Sequence, residues 1–568
     1  MQGTSAESML NKLKSVYGVE KGTRLHRNID ALVEKYRGEI DSQQKAWVDQ
    51  EDIMLITYGD SIKEAGKAPL QSLHEFLEAQ ADGTINAVHL LPFYPYSSDD
   101  GFSVIDYLAV NPDVGTWKEV EELSNDFDLM FDAVINHISQ KSDWFQGYLN
   151  GDPDYKDYFI AADPKEDYSQ VTRPRALPLL TKFETTEGPK YIWTTFSEDQ
   201  IDLNFESEKL FLTVLEVLLT YVKKGARFLR LDAIGFLWKK IGTSCIHLEE
   251  THTIVQIIRE VLETVSPGTV IITETNVPHQ DNISYFGDGT NEAHLVYQFP
   301  LPPLTLHSFQ QGTTKHLLEW ADSLDPTTAH TTYFNFLASH DGIGVRPVEG
   351  ILSETEVGAM IEKVEKRGGR VSYKDNGDGT KSPYELNINY LDALVEAEDS
   401  TESKVKRFLA AQSILLSMVG VPGIYVHSLL GSRNYEKGIE ESGRYRTINR
   451  EKLDRGTLEK ELADPSHLRH QVFEGFKRLI DIRKQQIAFH PNAHQKVLFL
   501  DDRVFSIIRS FENEQVVVLI NVTAEDVVIQ CDRQLFGWDD TVMDLVRGKM
   551  LEQSDITLEP FQVMWLKG

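Results

Sequence analysis

The stretch GARFLRLDAIGF, Gly225–Phe236, sets Arg227, Arg230 and Asp232 inside a run that otherwise reads as a buried β-strand. A charge in such a strand is costly unless it is paired or put to work. Upstream, Phe211, Leu215, Leu218 and Val222 recur at helical spacing and give one apolar face, with Gly225 where a helix ends. Downstream, Ile254, Ile257, Ile258, Val261 and Leu262 mark a second helix, which stops near Ser266-Pro267-Gly268 and runs into TVIITETN, Thr269–Asn276. Helix, strand, helix, strand is the repeat of a parallel sheet.

Working outward, six further runs have the same character: IMLITYG (Ile53–Gly59), INAVHLLPF (Ile85–Phe93), DLMFDAVINH (Asp128–His137), HLVYQF (His294–Phe299), TYFNFLASHD (Thr332–Asp341) and GVPGIYV (Gly420–Val426). Eight such strands predict an α/β fold, a (β/α)8 TIM barrel whose active site lies at the carboxyl ends of the strands. Two long excursions leave from strand carboxyl ends, so both can wall that site. From about His490 the texture changes to alternating strands such as VFSIIRSFENEQVVVLINVT, a small antiparallel β-domain. The expected organisation is barrel over 1–137, an inserted domain over 138–200, barrel again over 201–341, a loop insertion over 342–398, the end of the barrel over 399–490 and the β-domain over 491–568.

The 568 residues are 41% hydrophobic, enough for several packed units. The opening MQGTSAESMLNKLKSVYG lacks a signal-peptide core, and no run of about 18 uncharged apolar residues occurs. A cytoplasmic location is expected. Two cysteines far apart, Cys245 and Cys531, suit a reducing compartment and exclude a cysteine-rich zinc site. The net charge of −31 argues against nucleic acid or an anionic membrane as partner.

Four strands carry polar groups near their ends: Asp132, Asn136 and His137; Arg230 and Asp232; Glu274; His340 and Asp341. Singly, each has a structural explanation: a buried ion pair for Arg230 with Asp232, a turn cap for Glu274, a satisfied core histidine for His340. Together they point to catalysis, because a barrel brings the ends of its fourth, fifth and seventh strands, and so three carboxyls, to one pocket.

These residues lie in DAVINH (Asp132–His137), RLDAIGF (Arg230–Phe236), ITETN (Ile272–Asn276) and ASHD (Ala338–Asp341), which in this order resemble the motifs of glycoside hydrolase family 13, the α-amylase family. The resemblance implies retaining chemistry on α-glucosides, with Asp232 as nucleophile, Glu274 as acid/base, Asp341 as transition-state stabiliser and Arg230 keeping Asp232 ionised. It implies no cofactor. Asn136 matches a calcium-ligating position of many members, but the branch identified next generally does without the ion, so no metal is expected.

Further stretches are similar to the sucrose phosphorylase branch: HLLPFYPYSSDDGFSVIDY (His89–Tyr107), WTTFSEDQIDLNF (Trp193–Phe205), GTSCIH (Gly242–His247), FPLPPLTLHSF (Phe299–Phe309) and SHDGIGV (Ser339–Val345). That likeness assigns Asp99, Phe102, His137, His340 and Arg446 to a glucose pocket lined by Phe196 and Gln200, with inorganic phosphate as co-substrate. It makes Arg173, Arg175, Tyr384 and Glu385 the phosphate and acceptor candidates, and a homodimer compatible with the family. Phe236 and Asn276 replace the tyrosine and histidine of sucrose-specific members, and the 350–387 loop differs. ITETNVPHQDNISYFGDG (Ile272–Gly289) and WKKIGTSCIHLEETH (Trp238–His252) instead resemble phosphorylases of glucosylglycerol or glucosylglycerate. Arg173, Arg175, Arg346 and Lys381 are all available to a glycerate carboxylate, so a count of cations does not choose between the two. The acidic composition, fitting a salt-adapted organism, inclines the reading to glucosylglycerol. Sucrose or sucrose 6′-phosphate phosphorolysis is the alternative, and α-glucosidase or transglucosidase activity a more distant one.

Overall fold

A computed structural model of the protein describes residues 2–568 apart from 42, 44, 176, 377, 531, 539–540 and 552–554. Cys531 lies outside the described residues; Cys245 is a buried free thiol.

All eight expected strands form, as β1 (Met54–Thr57), β2 (Ala87–Leu90), β3 (Asp128–Ala133), β4 (Ala226–Asp232), β5 (Val270–Glu274), β6 (Leu295–Tyr297), β7 (Thr332–Phe336) and β8 (Val421–Tyr425). They pair in parallel and in chain order, and β8 closes the barrel on β1. The strands are buried along almost their whole length, which is why they read as apolar on both faces. The helix Glu208–Lys223 leads into β4 and Glu249–Val265 into β5, as their apolar faces require. Gly225, at φ +108° between the first helix and β4, passes so close to Ser124 that a Cβ there would stand 2.6 Å from the serine Cβ. No side chain fits at that crossing.

Arg227, at the opposite end of β4 from Asp232, is bound by Asp52 at 3.2 Å, Asp128 at 2.7 Å and the Trp47 carbonyl at 3.1 Å. It ties the amino-terminal end of the barrel together. The helices Gln2–Tyr17 and Val19–Arg37 pack outside the barrel on Glu208–Lys223 and Glu249–Val265. Their Leu25 and Ile29 are buried, and Arg24 pairs with Glu208 at 2.5 Å.

The excursion after β3 contains the helix Asp143–Leu149 and the hairpin Leu180–Thr185/Gly188–Trp193, and Gln200–Asp202 returns to pair with His137–Ser139. After β7 comes a three-stranded sheet in which Lys381–Asn387 pairs with both Ile343–Gly344 and Arg370–Asp375. The C-terminal region is a six-stranded antiparallel sheet with a two-stranded companion. Its Arg509 reaches the Ser417 carbonyl at 2.6 Å, anchoring it to the helix before β8.

Candidate active site

Asp232 is the last residue of β4 and Glu274 the last of β5, and the two are register partners. Adjacent strands lie about 4.8 Å apart with partner side chains on one face, so the two carboxyls stand side by side at the mouth of the barrel. Ala233, directly after Asp232, takes left-handed backbone angles (φ 50°, ψ 32°), and its amide faces Glu274 Oε2 at 3.4 Å. That turn ends the strand at the carboxyl it presents.

Arg230 lies beneath, on the same face of β4. It donates to Asp232 at 2.9 Å, to the Tyr297 hydroxyl at 2.9 Å, and to Asp132. Asp132, fully buried, also meets His89 Nε2 at 2.6 Å, and its carbonyl accepts from the Tyr94 hydroxyl at 2.9 Å. Burial would raise Asp132, but Arg230 and His89 hold it below the carboxylate range. A fixed anion under the guanidinium thus orients it toward Asp232.

Burial raises both Asp232 and Glu274, and in each case Arg230 opposes the rise. Only Asp232 has the guanidinium in hydrogen-bond contact. Neighbouring negative charge lifts both further, that of Glu274 and Asp132 acting on Asp232 and that of Asp341 and Asp132 on Glu274. The two raised carboxyls share their protons as a pair, and the Arg230 contact is what favours the charge on Asp232 and the proton on Glu274, the division acid/base and nucleophilic roles need.

Asp341, just beyond β7, meets Arg446 at 2.6 Å. Burial would raise its carboxyl too, but Arg446, His340 and Arg450 hold it far below the carboxylate range. Arg446 is itself fixed by a two-pronged contact with Glu385, Nε to Oε1 at 2.9 Å and Nη2 to Oε2 at 2.7 Å. Glu385 belongs to the small sheet after β7, and a Cβ on Gly342 would stand 2.5 Å from its Cγ. The glycine after Asp341 lets the two acids sit on either side of one arginine.

The residues expected around glucose converge. Gln200 Nε2 donates to Asp99 at 3.0 Å and to the Phe102 carbonyl at 3.1 Å, which also lies 2.9 Å from His137 Nε2. His340 stacks on Phe102 with centroids 5.1 Å apart, and Phe196 packs edge-on against Phe236 at 5.3 Å. Burial lowers His137 to about 4 and His340 to about 3, so both rings are neutral at neutral pH. Asp99 and Asp100 both have positive φ, 55° and 47°. Arg175 contacts Asp99 at 3.2 Å, while Arg450 and Arg444 contact Asp100, so the strained turn is pinned by ion pairs.

Phe196, Phe236, Glu274, Asn276, His340, Asp341, Tyr384, Glu385 and Arg446 line one cavity of about 320 Å³. Asp99 and Arg175 lie on a shallower neighbouring depression that shares Arg446. Of the acceptor candidates, Arg175 is already bound to Asp99, and Arg173 does not line the cavity although its neighbours Thr172 and Pro174 do.

Four contributors were not singled out from the sequence: His89, Tyr297, Arg450 and Lys239. The first two are polar side chains in otherwise apolar barrel strands, a signal that was present in AVHL and LVY. Lys239 lies beside Asn136: its buried side-chain nitrogen is 3.0 Å from Asn136 Oδ1 and 2.8 Å from Asp202. That nitrogen holds these oxygens.

A barrel that sets two carboxyls side by side at its mouth, one of them held by an arginine, beside a third acid under another arginine and a sugar-sized cavity, is built for chemistry at a glycosidic carbon. The family model for the alpha-amylase catalytic domain matches residues 70–347. The chain is 49% identical to the glucosylglycerate phosphorylase of Spirochaeta thermophila over 91% of this chain and 89% of that one. It is 45% identical to the glucosylglycerate phosphorylase of Escherichia coli over 99% and 100% of the two chains. The crystal structure of sucrose 6F-phosphate phosphorylase from Thermoanaerobacter thermosaccharolyticum superposes with a TM-score of 0.72 at 25% identity, covering 83% of this chain and 94% of that one. The chain belongs to the alpha-amylase family, glycoside hydrolase family 13, in its sucrose phosphorylase-like branch. Among the described residues, no helix is long and apolar enough to cross a membrane.

Proposed function

We propose that the protein is a retaining phosphorylase that converts an α-glucosylglycerate and inorganic phosphate into α-glucose 1-phosphate and glycerate. The observation that carries this reading is the 45 to 49% identity, across nine-tenths or more of the chain, to two glucosylglycerate phosphorylases. Of the two acceptors expected from the sequence, glycerate is the one these relatives favour, and the acidic composition that inclined toward glycerol does not discriminate between them.

The site residues take these roles. The Asp232 carboxylate attacks the anomeric carbon while the bond to the glycerate oxygen breaks, and Glu274 gives its proton to that oxygen. Glycerate leaves with its hydroxyl restored. A phosphate oxygen then attacks the same carbon, the bond to Asp232 breaks, and the phosphate proton passes to Glu274. Two inversions give net retention, and side-by-side carboxyls suit this path better than the separation of roughly 6.5–9.5 Å that an inverting water needs. Asp341 and the clamped Arg446 grip the sugar, with Asp99, Phe102, His137, Gln200 and His340 around it, as Phe196 and Phe236 close the side. Of the phosphate candidates, Tyr384 lines the cavity, and Arg173, whose Nε is buried without a partner, stands behind its lining residues Thr172 and Pro174.

Supplying phosphate with glucosylglycerate, glucosylglycerol, sucrose and sucrose 6′-phosphate in turn, and measuring glucose 1-phosphate, tests the acceptor. The reading expects glucosylglycerate to give the highest kcat/KM. A preference for sucrose or its phosphate would replace it.

A further inference from the structure

Glycerate bonded through its middle oxygen carries a carboxylate one carbon from the bond that breaks. That charge must settle in a cavity already lined by Glu274, Asp281, Asp341 and Glu385. A desolvated anion among carboxyls requires a cation.

Three cationic side chains line the cavity, Arg230, Arg346 and Arg446. Arg230 is committed to Asp132, Asp232 and Tyr297, and Arg446 to Asp341 and Glu385. The Arg346 guanidinium makes no ion pair or hydrogen bond among the described residues. The other cations considered from the sequence are placed differently: Arg175 is bound to Asp99, Lys381 is exposed, and Arg173 does not line the cavity.

The backbone under Arg346 is well fixed. It begins the single turn Arg346–Val348, one residue after the strand Ile343–Gly344, whose partners are Leu386 and Glu385. Val345 N also donates to the Tyr384 carbonyl at 3.1 Å. One small sheet therefore fixes both Glu385, which holds Arg446, and the segment bearing Arg346. Asn276, two residues past the acid/base, lines the same cavity with Oδ1 unpartnered, and its Nδ2 lies 3.5 Å from where a Cβ on Gly344 would stand. The amide and the Arg346 segment flank one part of the cavity.

The geometry points to Arg346 as the residue that receives the acceptor's carboxylate, with Asn276 hydrogen-bonding its hydroxyls, so that the site selects a hydroxy acid over a neutral polyol. This assignment rests on the glycerate reading above. A guanidinium fork matches a carboxylate with two parallel hydrogen bonds, whereas a neutral polyol gains little from it.

The test uses α-glucosyl fluoride as donor and compares transfer to glycerate and to glycerol by the full chain. The quantity read is the ratio of the two kcat/KM values, which is independent of the fraction of enzyme folded. In R346Q the ratio should fall about 10- to 100-fold, through a higher KM for glycerate. R346K, keeping the charge without the fork, should fall in between. A ratio within about threefold of the wild type in both variants overturns the assignment of Arg346 while leaving the glycerate reading intact. Wild-type enzyme that transfers to glycerol and not to glycerate overturns the reading itself, and Arg346 with it.

Discussion

Asp232 and Glu274 occupy matching positions at the ends of neighbouring parallel strands, yet only Asp232 has the Arg230 guanidinium in contact. Their surroundings differ at that contact, and under the proposed roles the two should respond differently to replacement. D232N removes the proposed nucleophile and should lower transfer from every donor by at least about 10³-fold. E274Q should lose about 10²- to 10⁴-fold with glucosylglycerate but recover with α-glucosyl fluoride and phosphate. Fluoride leaves without a proton, and phosphate dianion attacks without a base. Steady-state rates of the two variants with the two donors check this, and recovery of D232N would contradict it.

The pH dependence follows from the same pair. In the proposed role Glu274 is active as the acid, and burial and the Asp341 charge raise it above the ordinary glutamic value of about 4.3. Its proton is retained to higher pH, and activity is lost as pH rises through the raised value. In the proposed role Asp232 is active as the anion, so activity is also lost as pH falls and the pair takes up a second proton. The kcat/KM profile with glucosylglycerate should be bell-shaped. In E274Q with the fluoride donor and phosphate, the basic limb assigned to Glu274 should vanish.

Glu385 acts through Arg446. E385Q removes the charge that holds both prongs of the guanidinium, and Arg446 is shared with Asp341. The expected result is a fall in kcat/KM of about 10-fold or more, with KM for the glucoside raised. An unchanged KM would separate Glu385 from the glucose grip.

Lys239 places its side-chain nitrogen against Asn136 and Asp202, and the Asp202 charge opposes the lowering that burial imposes on it. Treatment with a strong chelator should leave rate and melting temperature unchanged. K239M, which strands the buried Asp202, should cost about 3–5 kcal/mol and lower the melting temperature. A melting temperature that falls on chelation and returns with calcium would contradict this.

The eight strands were legible because parallel strands buried on both faces are apolar throughout, and Asp232, Glu274 and Asp341 stood out against that background. Contacts across the barrel were less legible. His89 reaches Asp132 and Arg450 reaches the Asp99–Asp100 turn only through closure of the barrel, and spacing in the chain carries no trace of either. Lys239 looked like one of two ordinary lysines in FLWKKIG. The same limit applied to the acceptor cations: Arg175, Arg346 and Lys381 looked alike in sequence, and became distinct once one was found ion-paired, one lining the cavity and one exposed.

The central claim is that phosphate, not water, resolves a glucosyl group held on Asp232. Proton NMR of the enzyme acting on glucosylglycerate with and without phosphate tests it directly. The account predicts α-glucose 1-phosphate and glycerate in equal amounts, at a rate that depends on phosphate. Free glucose released at the same rate without phosphate, or the β-anomer of the sugar phosphate, would contradict it.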